Sequence, residues 1–156
     1  MISGFDLVLG VLFSLILGGI CFFIHLQGLI WLGQIGSRIE IRPRRLKLSA
    51  ALTAIMLIHI VEIALYGLSY WLAVEAGLGS IGSTNTVTQM TGTWTDYMYL
   101  AATVYTSLGF GDVVGTGVLA VIICLEALVG LILIAISVCF AYPIMENIIK
   151  RFISAE

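Results

Sequence analysis

Three uninterrupted apolar runs, each long enough to cross a bilayer, constrain this chain more than any other feature. Residues 7–32 carry only Ser14, His25 and Gln27 as distinctly polar side chains. Residues 48–74 carry His59 and Glu62, and residues 117–142 carry Glu126. A membrane helix needs about 20 mostly apolar residues. Each run exceeds that, so tilted helices are expected. Apolar residues surround each run on all sides, as lipid-facing helices require. The runs are too long and too regular in polarity to read as strands. Charged residues make up 10% of the 156 positions, against about 25% in soluble domains. That excludes a disordered chain, a basic nucleic-acid binder and an ordinary soluble enzyme.

The first run reads as a retained helix, not a cleaved leader. Met1, Ile2, Ser3, Gly4, Phe5 and Asp6 precede it without a Lys or Arg, and no A-x-A-like site follows it. The seven basic residues set the orientation. Arg38, Arg42, Arg44, Arg45 and Lys47 lie between the first and second runs, and Lys150 and Arg151 follow the third. Cytoplasmic segments carry the Lys/Arg excess. Both basic segments are therefore expected inside, with the N-terminus and the 75–116 connection outside. A cell inner or plasma membrane is the expected location. The same five loop cations offer a site for anionic lipid. Cys21, Cys124 and Cys139 fall inside apolar runs at no paired spacing. They read as buried, inert thiols.

The outer connection changes character along its length. Residues 76–94, rich in Gly, Ser and Thr, read as loop. Residues 95–106 read as about three helical turns, with Thr93 or Thr95 as cap and Asp96 in the first turn. This helix is too short to span. An apolar helix of that length between two spans, followed by glycines, suggests a re-entrant segment lining a cavity.

Thr106, Ser107, Leu108, Gly109, Phe110, Gly111 and Asp112 come next. This run resembles the potassium-channel signature T-V-G-Y-G followed by Asp. Ser107, Leu108 and Phe110 stand where Thr, Val and Tyr are usual, and the usual Pro after the Asp is absent. The resemblance covers about residues 48–145, the helix–pore-loop–helix unit of two-transmembrane potassium channels. The first helix lies outside it.

The physical need behind such a pattern is clear. A dehydrated cation must have its water replaced by oxygens, and successive carbonyls face one axis only if alternate residues take unusual dihedrals. Glycine reaches these at little steric cost. The resemblance implies K+ ligands at Ser107, Leu108, Gly109, Phe110 and Gly111, with Leu108 and Phe110 side chains packed against the short helix. Thr103, Thr106, Asp112, Glu62 and Glu126 are expected to support the filter. Since one chain carries one such segment, the resemblance also implies a homotetramer. Past the filter, Gly130 stands where the family bends its inner helix. Ile134, Val138 and Tyr142 share the face expected to line the pore, and Pro143 is expected to end or kink the helix. No cofactor beyond the permeant ion is implied.

Ionisable groups inside a span are costly and suggest function. His59, Glu62 and Tyr66 share one face of the second helix, extended by Ser69. Glu62 and Glu126 are expected to sit behind the filter and bond to the short helix. His25 is expected to make a helix–helix hydrogen bond.

The chain is thus expected to divide as follows. An N-terminal helix occupies 1–36, a basic loop 37–47 and an outer helix 48–75. An outer loop fills 76–94, a pore helix 95–106 and a filter 107–112. An inner helix spans 113–145 and a tail 146–156. The fold class is an all-α membrane protein of three spans plus a re-entrant helix. Without a run of Arg or Lys, the first helix is not a voltage sensor. With five residues after Arg151, no cytoplasmic ligand-binding domain is expected. Two other functions remain open: a non-conducting regulatory or assembly subunit, and an intramembrane metalloenzyme using His59, Glu62 and Glu126. The leading reading is not an enzyme, and nucleic-acid binding is not expected.

Overall fold

The computed structural model describes residues 4–38, 44–84 and 92–153. Its elements in order are α1 (Gly4–Arg38), α2 (Arg44–Glu75), β1 (Ile81–Ser83), α3 (Trp94–Tyr105), β2 (Val113–Gly115) and α4 (Val118–Ile153). Three helices are long and apolar enough to cross a membrane: Gly4–Arg38, Arg45–Glu75 and Val118–Asn147. The protein is an all-α membrane protein with multiple spans.

All three long helices run past the apolar stretches that define them, because a helix needs no apolar residue to continue into a polar region. Arg38 ends α1, and Arg44, Arg45 and Lys47 open α2. Most of the expected basic loop is therefore helix. Arg42 and residues 85–91 lie outside the described residues. The inner helix starts at Val118, not at 113, and continues to Ile153. Pro143 does not end it: the helix passes through. A membrane helix tolerates proline where neighbouring helices and local adjustment satisfy the freed carbonyl.

The other departure is a small ribbon. β1 pairs antiparallel with β2, matching Ile81 to Gly115, Gly82 to Val114 and Ser83 to Val113. Residues expected as loop and as helix start thus form a clasp over the N-terminal end of α4. Thr116 and Ser80 reinforce it with a 2.8 Å hydroxyl contact.

α1 lies parallel to α4. Gly10 faces Val121, Gly18 faces Val129 and Gly33 faces Phe140. The two C-terminal ends, with Arg38 and Lys150, therefore meet at one end of the bundle, where α2 begins. The buried face of α1 is Gly10, Ser14, Leu17, Gly18, Cys21, His25 and Leu29. Their spacing of three and four residues is one helical stripe. Small residues on that stripe let backbones approach in lipid, where apolar surface alone gives no drive to associate. The core gathers Tyr66, Tyr70, Tyr105, Leu119, Ile122 and Leu133, all essentially inaccessible.

Cys21 is buried as expected, but Cys124 and Cys139 are exposed on the outer surface of α4. A helix apolar on every side does not announce which face turns inward.

Candidate functional site

α3 starts cleanly because Asp96 accepts the backbone N–H of Thr93 at 3.1 Å, satisfying an orphan donor of the first turn. It ends at the cap Thr106, whose hydroxyl donates to the Ala102 carbonyl at 2.7 Å. The chain then hooks back. Ser107 N–H donates to Val104 O at 2.8 Å, and Gly109 N–H donates to Thr103 O at 3.0 Å. The Thr103 hydroxyl donates to Leu100 O at 2.9 Å.

Backbone dihedrals then alternate. φ is positive at Ser107 (58°), Gly109 (47°) and Gly111 (73°). Among the described residues, Ser107 is the sole non-glycine with positive φ. A side chain in that region costs about 1–2 kcal/mol, so local bonds must hold it there.

Two clamps fix the far end of the segment. Tyr99 of α3 donates its hydroxyl to Asp112 Oδ2 at 2.9 Å. This bond to a carboxylate pushes the Tyr99 phenol above its usual value. Thr84, just past β1, donates its N–H to Asp112 O at 2.9 Å and its hydroxyl to Gly111 O at 2.6 Å. The Gly111 carbonyl, which has two lone pairs, is thus tied to the ribbon through Thr84. Sequence reasoning missed Thr84, because only the ribbon brings it to the segment.

Leu108 and Phe110 do not pack on α3. They are 62% and 65% exposed, since the segment stands at an edge of a single chain. Ile134 is partly buried against the core. Val138 and Tyr142 are exposed on α4. Gly130 sits against the end of α3, where a Cβ would meet Tyr105 O at 2.2 Å.

Behind α3 lies a buried polar cluster. Glu62 bonds to His25 at 2.9 Å and to the Tyr105 hydroxyl. His25, expected to make a single helix–helix bond, also meets Ser137 of α4 at 3.1 Å. His59 meets Tyr105 at 2.8 Å and Ser137 at 3.0 Å. Glu62 thus bonds to the short helix as expected. Glu126 does not: it is fully buried with neither carboxyl oxygen hydrogen-bonded, and the Tyr66 hydroxyl on the Glu62 face is likewise unbonded. The trio of His59, Glu62 and Glu126 is not assembled. His25 takes the third place, with donor atoms of His25, His59 and Glu62 within 4.8 Å of one another. Each of those three side chains already has protein partners. The signal for His25 was its place on the small-residue stripe of α1.

An unbonded buried polar group costs about 1–3 kcal/mol. Glu126→Met, similar in volume and apolar, is therefore expected to raise stability by about that amount. Thermal unfolding of the purified chain checks this; a lower midpoint would show that Glu126 is satisfied after all.

A family model described as "Ion channel" matches residues 55–146, more than half of the chain, from within α2 to near the end of α4. No curated protein and no solved structure matches it.

Proposed function

This chain belongs to the ion-channel family, and we propose that it conducts potassium passively through a homotetrameric pore. One observation carries the reading. Directly after a short helix lodged between two spans, φ turns positive at every second residue, Ser107, Gly109 and Gly111. Such alternation turns successive carbonyls toward one side, as replacing an ion's hydration shell requires. The ligands are the Ser107 hydroxyl and the carbonyls of Ser107, Leu108, Gly109 and Phe110. Thr103, Thr106, Tyr99, Asp112 and Thr84 hold them from behind.

One chain supplies one such segment, so four copies close the ring. The exposed Leu108 and Phe110 then meet neighbouring subunits. Val138 and Tyr142 face the pore below, with hydrophobic closure by dewetting, and Gly130 gives the inner helix its bending point. The Lys/Arg excess supports reading the C-terminal ends of α1 and α4 as cytoplasmic. Asp6, Glu75, Asp96 and Asp112 then fall on the outer side, where negative charge concentrates cations. At the basic end, a 770 Å³ cavity between α1, α2 and α4 is lined by Ser37 and Lys47. It suits an anionic lipid whose headgroup pairs with Lys47.

Ion flux from liposomes holding the purified protein tests the proposal. Potassium and rubidium are expected to pass and sodium to be held back. Equal sodium flux removes the selectivity claim, and no flux favours the non-conducting subunit.

Thr84→Val removes the hydroxyl bond to Gly111 but keeps the shape. A net hydrogen bond is worth about 0.5–1.5 kcal/mol, so the expected result is a several-fold loss of potassium over sodium preference with the fold intact. An unchanged flux ratio would show that the ribbon does not position the segment.

A further inference from the structure

Five side chains from four helices close into one ring. His25 Nδ1 of α1 lies 2.9 Å from Glu62 Oε1 of α2. His25 Nε2 lies 3.1 Å from Ser137 Oγ of α4. Ser137 Oγ lies 3.0 Å from His59 Nε2 of α2. His59 Nδ1 lies 2.8 Å from the Tyr105 hydroxyl, the last residue of α3. Tyr105 returns to Glu62 Oε2.

Each contact needs a hydrogen. Tyr105 and Ser137 bring one each, and each neutral imidazole brings one. An ionised carboxylate brings none. Those groups together leave one contact as two facing lone pairs. Swapping an imidazole tautomer or rotating the Ser137 hydroxyl only moves the gap to another link. The ring closes when one more proton is present.

The geometry also sets the direction. His59 Nδ1 lies 3.2 Å from Glu62 Oε2 as well as near Tyr105. A ring N–H there donates to both oxygens, whereas a bare nitrogen would face a carboxylate oxygen. His59 therefore donates to Tyr105, Tyr105 to Glu62, His25 to Ser137 and Ser137 to His59. The remaining link, Glu62 Oε1 to His25 Nδ1, receives the extra proton.

We propose that Glu62 and His25 share one titratable proton that closes this ring, and that its loss releases α1 from the end of α3. With it the cluster is neutral overall, either as an acid beside an imidazole or as a carboxylate beside an imidazolium. Without it a net negative charge is buried with one contact broken, which low-dielectric surroundings penalise. The other titratable groups around the ring are Cys21 from α1, Tyr66 from α2 and Glu126 from α4. None of the three bonds into it. A neutral ring accommodates a neighbouring buried carboxyl better than a charged one. Because Tyr105 precedes Ser107 by two residues, the ring gives α1, which lies outside the family match, a mechanical hold on the pore segment. That last link rests on the channel reading; the proton site does not.

The test uses the purified full chain and Glu62→Gln. A carboxamide donates N–H toward His25 and accepts from Tyr105, so E62Q keeps the ring closed with no proton to lose. Thermal unfolding is followed from about pH 5 to about pH 9, a window that brackets the ordinary imidazole range. The wild-type midpoint is expected to drop in one step as pH rises, because deprotonation opens the ring, and E62Q is expected to lack that step. Parallel profiles for the two proteins overturn the proposal. Nitrogen NMR of labelled histidines in the wild-type chain reads the same proton without any variant. His25 and His59 signals are expected to change together; independent titrations, or none, overturn it. A zinc ion that co-purifies with the wild type and is absent from E62Q also overturns it, assigning the cluster to a metal. None of these readouts needs conduction, so a failed flux experiment strikes the channel reading alone.

Discussion

Gly130→Ala is expected to destabilise the folded chain by about 1–3 kcal/mol or more, the cost of overpacking a close contact. A Cβ there would lie 2.2 Å from Tyr105 O, 3.0 Å from Tyr105 C and 3.1 Å from Tyr105 Cα. All three are backbone atoms, and the Tyr105 side chain is itself held by Glu62 and His59. Neither helix can yield without parting α4 from the end of α3. Thermal unfolding of the purified variant measures this. A glycine serving only as a hinge predicts the opposite sign, since alanine stabilises a helix interior over glycine by about 0.5–1 kcal/mol. A raised midpoint would therefore remove the packing role and leave the hinge.

Gly109→Ala is expected to abolish potassium flux while the chain still folds. No neighbouring atom lies within 4 Å of a Cβ at this position, so crowding is not the obstacle. The obstacle is φ at 47°, where a side chain costs about 1–2 kcal/mol. In the proposed tetramer that cost recurs in each of four copies, and the carbonyl is expected to rotate away to relieve it. Since each 1.4 kcal/mol is a factor of ten, flux is expected to fall at least about tenfold. Liposome flux set beside thermal unfolding separates the two effects. Wild-type flux in Gly109→Ala would dismiss residues 107–110 as the ion path.

Much of the architecture was legible before any coordinates. Three spans are visible because length and hydropathy are local properties. α3, expected at 95–106, is Trp94–Tyr105, because a first-turn Asp and the glycines beyond mark its ends. The positive φ at Gly109 and Gly111 follows from residue type, and Ser107 completes the alternation. The β1–β2 ribbon escaped notice because three-residue strands carry no periodicity, and their pairing joins residues 30 to 34 positions apart. Pro143 does not end α4, because the rule for helix ends in water weakens inside a bundle.

The polar cluster divides the two kinds of knowledge most sharply. Glu62 and His59 share a face by spacing alone, and that much is arithmetic on one helix. Their partners are separated from Glu62 by 37 positions for His25 and 43 for Tyr105, and Ser137 is 78 from His59. In a helix that is apolar all round, no stripe of hydrophobicity tells which side faces a neighbour. Small residues at Gly10, Ser14 and Gly18 decide it for α1, and they act only through the surface they meet on α4. The sequence by itself determined that this chain lives in a membrane, how many times it crosses, and where the backbone can take unusual dihedrals. Each of those depends on residues close in the chain. Tertiary structure alone decided that Glu126 stands unbonded and that His25 completes a ring with Glu62. Whether a buried polar atom finds a partner depends on how distant helices are rotated against one another.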